Sequence, residues 1–174
     1  MPRSATALAT LAAAGLVALA APIPAVAAVS AAGTTMCLDV GNSRNNGDQV
    51  KIWQCAGPGF RNQDFVIQDG QIKVKDTIGT GREMCLDVGN SRNNGDQVKI
   101  WQCAGPGFRN QDLVIQDGQI KVKDTIGTGR EMCLDVGNSR NNGDQVKIWQ
   151  CAGPGFRNQD LVIQRGQIEV ADTI

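Results

Sequence analysis

The sequence predicts an all-β fold, and three observations predict it. A unit of 48 residues occurs three times, because Met36-Cys37-Leu38-Asp39-Val40 returns at Met84–Val88 and again at Met132–Val136. Inside each unit apolar and polar residues alternate with period two, as in Val50-Lys51-Ile52-Trp53 and Ile72-Lys73-Val74. That period puts alternate side chains on opposite faces of a strand. No stretch after the first 27 residues has helical periodicity, and Gly and Asn recur at the joints between alternating segments.

The first segment stands apart from this pattern. Arg3, an Ala- and Leu-rich run from Ala7 to Ala21, and the small-residue signal Ala25-Val26-Ala27 read as a secretory signal peptide over residues 1–27. Pro22 and Pro24 break the run before it reaches the roughly 20 apolar residues that cross a bilayer, so no membrane-spanning segment is expected. Residues 28–174 then form one domain with repeats at 31–78, 79–126 and 127–174. A secreted, extracellular protein is expected.

Each repeat divides into about four short strands. The first, around Leu38, and the second, over Val50–Cys55, flank the loop Gly41–Gln49. The third and fourth flank Asp69-Gly70, a pair suited to a two-residue type I′ turn. That turn sets Phe65 opposite Val74 and Ile67 opposite Ile72, with all four expected on the core face. Leu, Ile, Val and Phe are expected to fill the core. In the third repeat Arg165-Gly166 replaces Asp-Gly, and a looser hairpin is expected there. Three repeats of four strands give about twelve, the count of a β-trefoil. An open stack needs distinct polar caps, yet the terminal repeats barely differ from the middle one. Closure is the expected architecture.

Composition narrows the function. Lys+Arg and Asp+Glu both number 17, so no charge excess points to nucleic acid or an anionic membrane. Histidine is absent, which removes the commonest general base and the commonest zinc ligand together. No catalytic residue, metal or cofactor is expected, and the chain is not expected to be an enzyme. Asp39 and Asp48 resemble a glycosidase pair only superficially, since the pair is repeated in every copy and an active site is rarely built three times in one small domain. The loop between them lacks the calcium-binding spacing and closing glutamate of an EF-hand; its Asn46-Gly47 reads as turn chemistry.

The six cysteines Cys37, Cys55, Cys85, Cys103, Cys133 and Cys151 follow a signal peptide and therefore read as disulfides. Repetition favours Cys37–Cys55 and its two equivalents, while a cyclic scheme linking neighbouring repeats stays open. If Cys37 faces Cys55 directly across an antiparallel pair, Asp39 faces Trp53 on the outer side of the same hairpin. The core has no need of that tryptophan. A flat apolar platform beside a carboxylate suits a sugar, which has one C–H face and a rim of hydroxyls.

The pattern Cys-Leu-Asp-Val, an Asn/Gly loop, Val-Lys-Ile-Trp-Gln-Cys and Asn-Gln-Asp-Phe resembles the ricin B-type (R-type) lectins. It recurs in order through all three repeats. The resemblance implies that Asp39, Asp87 and Asp135 accept hydrogen bonds from sugar hydroxyls, and that Trp53, Trp101 and Trp149 stack on the ring. It implies that Asn62, Asn110 and Asn158 donate to a hydroxyl, and that Gln63, Gln111 and Gln159 steady the aspartates. It implies glycans or glycoconjugates as partners, with galactose and N-acetylgalactosamine as the usual ligands.

Two departures qualify that implication. Phe65, Leu113 and Leu161 stand where the family's Gln-x-Trp motif has tryptophan, a change in packing more than in binding. Lys51, Lys99 and Lys147 stand where such a site often has glutamine, which shifts preference toward an acidic or substituted glycan. A module binding xylan or a similar polysaccharide for a glycosidase would use the same residues. A trefoil protease inhibitor would need one projecting loop unlike its copies, and no loop here is distinct.

Overall fold

The computed structural model describes residues 34–174, so the signal-peptide expectation for residues 1–27 lies outside the described residues. The first repeat supplies β1 (Met36–Asp39), β2 (Lys51–Gln54), β3 (Phe65–Gln68) and β4 (Gln71–Val74). The second supplies β5 (Met84–Asp87), β6 (Lys99–Gln102), β7 (Leu113–Gln116) and β8 (Gln119–Val122). The third supplies β9 (Met132–Asp135), β10 (Lys147–Gln150), β11 (Leu161–Gln164) and β12 (Gln167–Val170). A single 3-10 turn follows the fourth strand of each repeat, at Lys75–Thr77, Lys123–Thr125 and Ala171–Thr173.

The sheets do not coincide with the repeats. Each joins the second hairpin of one repeat to the first hairpin of the next, giving β3-β4-β5-β6, β7-β8-β9-β10 and β11-β12-β1-β2. The last of these closes the molecule, with Glu169 of β12 paired to Cys37 of β1. Closure is completed around the threefold axis. Val50 N–H donates to the Val98 carbonyl, Val98 to Val146 and Val146 to Val50, each at 3.0 Å. Beside that ring the amides of Gln49, Gln97 and Gln145 bond head to tail at 2.7–2.8 Å. All three strands that carry the tryptophans are thereby locked to one another, because their backbone groups have no other ladder partner on that side.

The core follows the alternation. Leu38, Leu86, Leu134, Ile52, Ile100 and Ile148 are fully buried and belong to one apolar cluster with the valines and methionines of the same strands. Phenylalanine departs from expectation. Phe65 is buried, but Phe60, Phe108 and Phe156 are each 42% exposed and form no part of the core.

The tight hairpins adopt the expected register, Phe65 opposite Val74 and Ile67 opposite Ile72, and Asp69 takes a left-handed conformation at φ 53°. Ile67 is nevertheless exposed while its partner Ile72 is buried. β3 is the outermost strand of its sheet, so its end near the turn is covered from one side only. Arg165 occupies the same left-handed conformation, φ 51°, and keeps its hairpin in the same register rather than loosening it. The turn is held from outside: Phe65 N–H donates to the Gly166 carbonyl at 2.7 Å. Glycine suits this turn because Gly70 takes the left-handed conformation, φ 78°, with the Asp112 carboxylate of the next repeat packed close beside it.

The cysteines pair within each repeat, Cys37–Cys55, Cys85–Cys103 and Cys133–Cys151, with Cα atoms 5.1 Å apart. The cyclic scheme is excluded. Each bridge closes a loop of 18 residues, and contributes about 3 kcal/mol at that length. The register differs from the direct-facing one: Cys37 lies opposite Trp53 and Asp39 opposite Lys51. The bridge runs diagonally, from the middle of the pair to Cys55 just beyond β2. Strand twist brings such diagonal neighbours together at a strand end. Asp39 and Trp53 still share the outer face, as diagonal neighbours rather than opposite ones.

Candidate functional site

The end of β1 delivers Asp39 to the outer face, where it is 8% exposed. One carboxylate oxygen accepts from Gly41 N–H at 2.6 Å and the other from Gln63 Nε2 at 2.9 Å. Each oxygen has a further lone pair, so a hydroxyl can still be received. Gln63 is fully buried and uses its amide completely. Its Nε2 also donates to the Gln54 carbonyl, and its Oε1 accepts from Ala56 N–H and from Gln167 Nε2 of the third repeat. The same four bonds recur at Gln111, with Gln71 as the outside donor, and at Gln159, with Gln119. A buried amide with all its bonds made is a stiff support. Each aspartate is therefore positioned by its own repeat and the one before it.

Trp53, Trp101 and Trp149 stand on the outer face of the second strand, 46–47% exposed. The preceding repeat comes close to one edge of each ring. A Cβ on Gly143 would lie 3.7 Å from Trp53 Cζ3, and Gly47 and Gly95 approach Trp101 and Trp149 in the same way. The asparagine before each of these glycines caps the strand that carries the ring: Asn142 Oδ1 accepts from Gln54 N–H, Asn46 from Gln102 and Asn94 from Gln150, all at 2.7–2.8 Å.

Asn62 is buried and its Nδ2 donates to Asn42 Oδ1 at 2.9 Å. One amide hydrogen is thus used inside the protein. Asn62 Oδ1 accepts a long bond from Arg44 Nη2 at 3.4 Å, whereas among the described residues the buried Oδ1 atoms of Asn110 and Asn158 have no partner.

Arg44 fastens the loop to the rest of the site. Its guanidinium donates to the carbonyls of Gly41, Ser43 and Arg61 and to both carboxylate oxygens of Asp76, while Asp48 caps the loop by accepting from Ser43 Oγ and Asn45 N–H. Burial raises the pKa of Asp76, but the hydrogen bonds and charges of Arg44 and Arg61 outweigh it and hold the carboxyl below its ordinary value.

These groups enclose an open pocket of about 520 Å³ in the first repeat, lined by Asp39, Asn42, Trp53, Phe60, Asn62 and Gln63 among others. Equivalent pockets of about 510 and 520 Å³ occur in the second and third repeats. Lys51 lines a smaller groove of about 400 Å³ shared with Asp39, Asp48 and Trp53. Unlike Lys73 and Lys75, it makes no ion pair among the described residues.

The model of the ricin-type beta-trefoil lectin domain matches residues 25–121 and again residues 78–172. The chain belongs to the ricin-type β-trefoil lectin family. Two solved structures are similar to this lectin-family chain. The designed threefold-symmetric protein ThreeFoil is 24% identical, with a TM-score of 0.49, covering 78% of this chain and 94% of that one. The β-trefoil lectin of Vibrio vulnificus hemolysin/cytolysin, solved with N-acetyl-D-lactosamine bound, is 17% identical with a TM-score of 0.48, covering 68% and 85%. No curated protein matches the chain. Among the described residues of this family member no helix is long and apolar enough to cross a membrane.

Several lining residues of the candidate pocket carried no sequence signal. Asn42 reads as loop composition, Phe60 reads as core, and Asn46 and Asn94 belong to the neighbouring repeat. A single-repeat reading has no means of placing the last two.

Proposed function

We propose that this carbohydrate-binding protein is a multivalent lectin with three equivalent shallow sites, preferring galactose or N-acetylgalactosamine at the ends of glycans and acting outside the cell. The observation that carries this reading is the threefold recurrence of one constellation: a half-exposed tryptophan beside a braced aspartate with spare acceptor capacity. The aspartate takes a pair of hydroxyls and the indole takes the C–H face of the ring. Galactose suits the arrangement because its axial 4-hydroxyl leaves one face apolar. A single site of this kind binds in the millimolar range, about −4 kcal/mol, and three on one rigid body raise avidity on a glycan-coated surface by orders of magnitude.

The test is agglutination of red cells and capture on galactosylated beads, with free galactose and N-acetylgalactosamine as competitors and insoluble xylan as the comparison surface. Asp39→Ala, Asp87→Ala and Asp135→Ala combined should abolish capture while the circular dichroism spectrum is kept. Capture at wild-type strength by that variant would sink the proposed site, and capture on xylan alone would replace galactose by a plant polysaccharide.

A further inference from the structure

We propose that Phe60, Phe108 and Phe156 form a second apolar platform in each pocket, so that each site is built for at least two linked sugars rather than one. This rests on the carbohydrate reading of the pocket. Three of the four phenylalanines in the chain are left 42% exposed, whereas Phe65, five residues beyond the first of them, is buried. Each exposed ring shares a pocket with a half-exposed tryptophan, so the two together make an apolar patch rather than a singly scattered residue. All three exposed rings line the same pocket as the tryptophan of their own repeat.

Phe60 is also held in place. Its N–H donates to the Gly57 carbonyl at 3.3 Å and its carbonyl accepts from Gln63 N–H at 2.8 Å. Gln63 is the buried amide that braces Asp39, so the backbone that carries Phe60 and the support of the carboxylate belong to one turn. The same pair of bonds fixes Phe108 before Gln111 and Phe156 before Gln159. Trp53 and Asp39 are neighbours within the sheet, whereas Phe60 comes from the turn outside it. The first sugar is received by the tryptophan and aspartate, and the second by the phenylalanine. A pocket of about 520 Å³ has the size of sites that take ligands of more than one ring. Phenylalanine has no hydrogen-bonding group, so it selects a second sugar by the apolar C–H face it presents and leaves that sugar's hydroxyls to water.

The test is calorimetric titration of the full chain with galactose against lactose, and with xylose against xylobiose. The wild type should bind the disaccharide of its preferred pair about tenfold more tightly than the monosaccharide. In Phe60→Ala, Phe108→Ala and Phe156→Ala combined, that ratio should fall to near one with monosaccharide affinity unchanged. The matching tyrosine variant should restore the ratio, which separates lost stacking from lost folding. A wild type that binds mono- and disaccharide alike overturns the second platform and leaves the lectin reading intact. An alanine variant in which both affinities fall together also overturns it, because the ring would then belong to the first sugar's site. Failure of the wild type to bind any of the four sugars overturns the galactose and xylan readings of the site, and the platform with them.

Discussion

The junctions between repeats share one backbone plan but not one set of side chains. At the first two, β4 to β5 and β8 to β9, a lysine reaches across to a glutamate, Lys73 to Glu83 and Lys121 to Glu131, at 2.8–2.9 Å. At the closing junction, β12 to β1, the lysine is replaced by Glu169, and Thr35 stands where the other junctions have glutamate. Glu169 turns back to accept from Gln164 of its own hairpin. The pair Lys75–Asp64 likewise has no counterpart in the third repeat, where Ala171 replaces the lysine. The strained arginine turn lies in this hairpin too. The closing seam keeps the backbone pairing and the threonine and glutamine bonds of the other joints but lacks their lysine–glutamate pair. The seam reaches the candidate site, because Gln167 of the third repeat bonds Gln63, which supports Asp39, and Asn142 bonds Gln54, next to Trp53.

The largest expected effect tests whether the seam is nonetheless part of one cooperative unit. Ile120 and Ile168 are equivalent and both buried. Ile120→Ala and Ile168→Ala should each destabilise the protein by about 2–5 kcal/mol, measured as a shift of one denaturant transition. A separate early transition for Ile168→Ala would show that the last hairpin detaches alone, and would break the comparison as drawn.

A smaller effect should rank the junctions. Thr125 Oγ1 accepts from Met132 N–H and donates to the Val122 carbonyl, and Thr173 bonds Met36 and Val170 in the same way. Thr125→Val leaves a buried N–H unpaired and should lose about 1–3 kcal/mol. Thr173→Val should lose less, because Thr173 is only half-buried and water can reach the freed groups. Equal losses in the melting curves would show the seam to be as tight as its counterparts.

Arg165→Asp restores the residue type that accepts the left-handed turn in the other two repeats, and should stabilise by about 1 kcal/mol. No change in the denaturation midpoint would mean that the arginine is unstrained.

The smallest effect concerns the missing ion pair. Thr35→Glu with Glu169→Lys recreates the pattern of the other junctions, and should slow amide exchange in β12 at low salt but not at high salt. Acid should act in the opposite direction. The hydrogen bond from Lys73, then that from Gly79 N–H, hold Glu83 below its ordinary value of 4.5, and Glu131 is lowered in the same way. A lowered carboxyl contributes stability that is complete above its unfolded value and is lost as pH falls through its folded one. Acidification should therefore narrow the difference between the two glutamate-bearing junctions and the seam. Exchange rates that keep their ratio below pH 4.5 would contradict that assignment.

Much of this molecule was legible before folding because it is local. Val50-Lys51-Ile52-Trp53 alternates, so Ile52 is buried and Trp53 is not. Asp69-Gly70 dictates its turn, and cysteines repeated with their own unit close within it. Parity fixes which face a side chain takes but not which residue lies across from it, and so Asp39 was set opposite Trp53 when Lys51 holds that place. Phenylalanine as a residue type is expected in the core, and hydrophobicity alone cannot tell the buried Phe65 from Phe60, kept at the rim of a pocket.

The sequence by itself determined a closed threefold β fold, its strands and turns, and an aspartate and a tryptophan on one face of each repeat; it favoured the disulfide pairs within repeats, and the structure excluded the cyclic alternative. These follow from steric periods and turn chemistry acting over a few residues. Only the tertiary structure decided that each sheet is shared between two repeats, and that the glutamine beneath each aspartate takes its last hydrogen bond from the preceding repeat. Contacts of that kind join residues 40 to 104 positions apart. They exist because every buried amide must find a partner wherever the closed ring supplies one, and no local pattern in the chain records where that is.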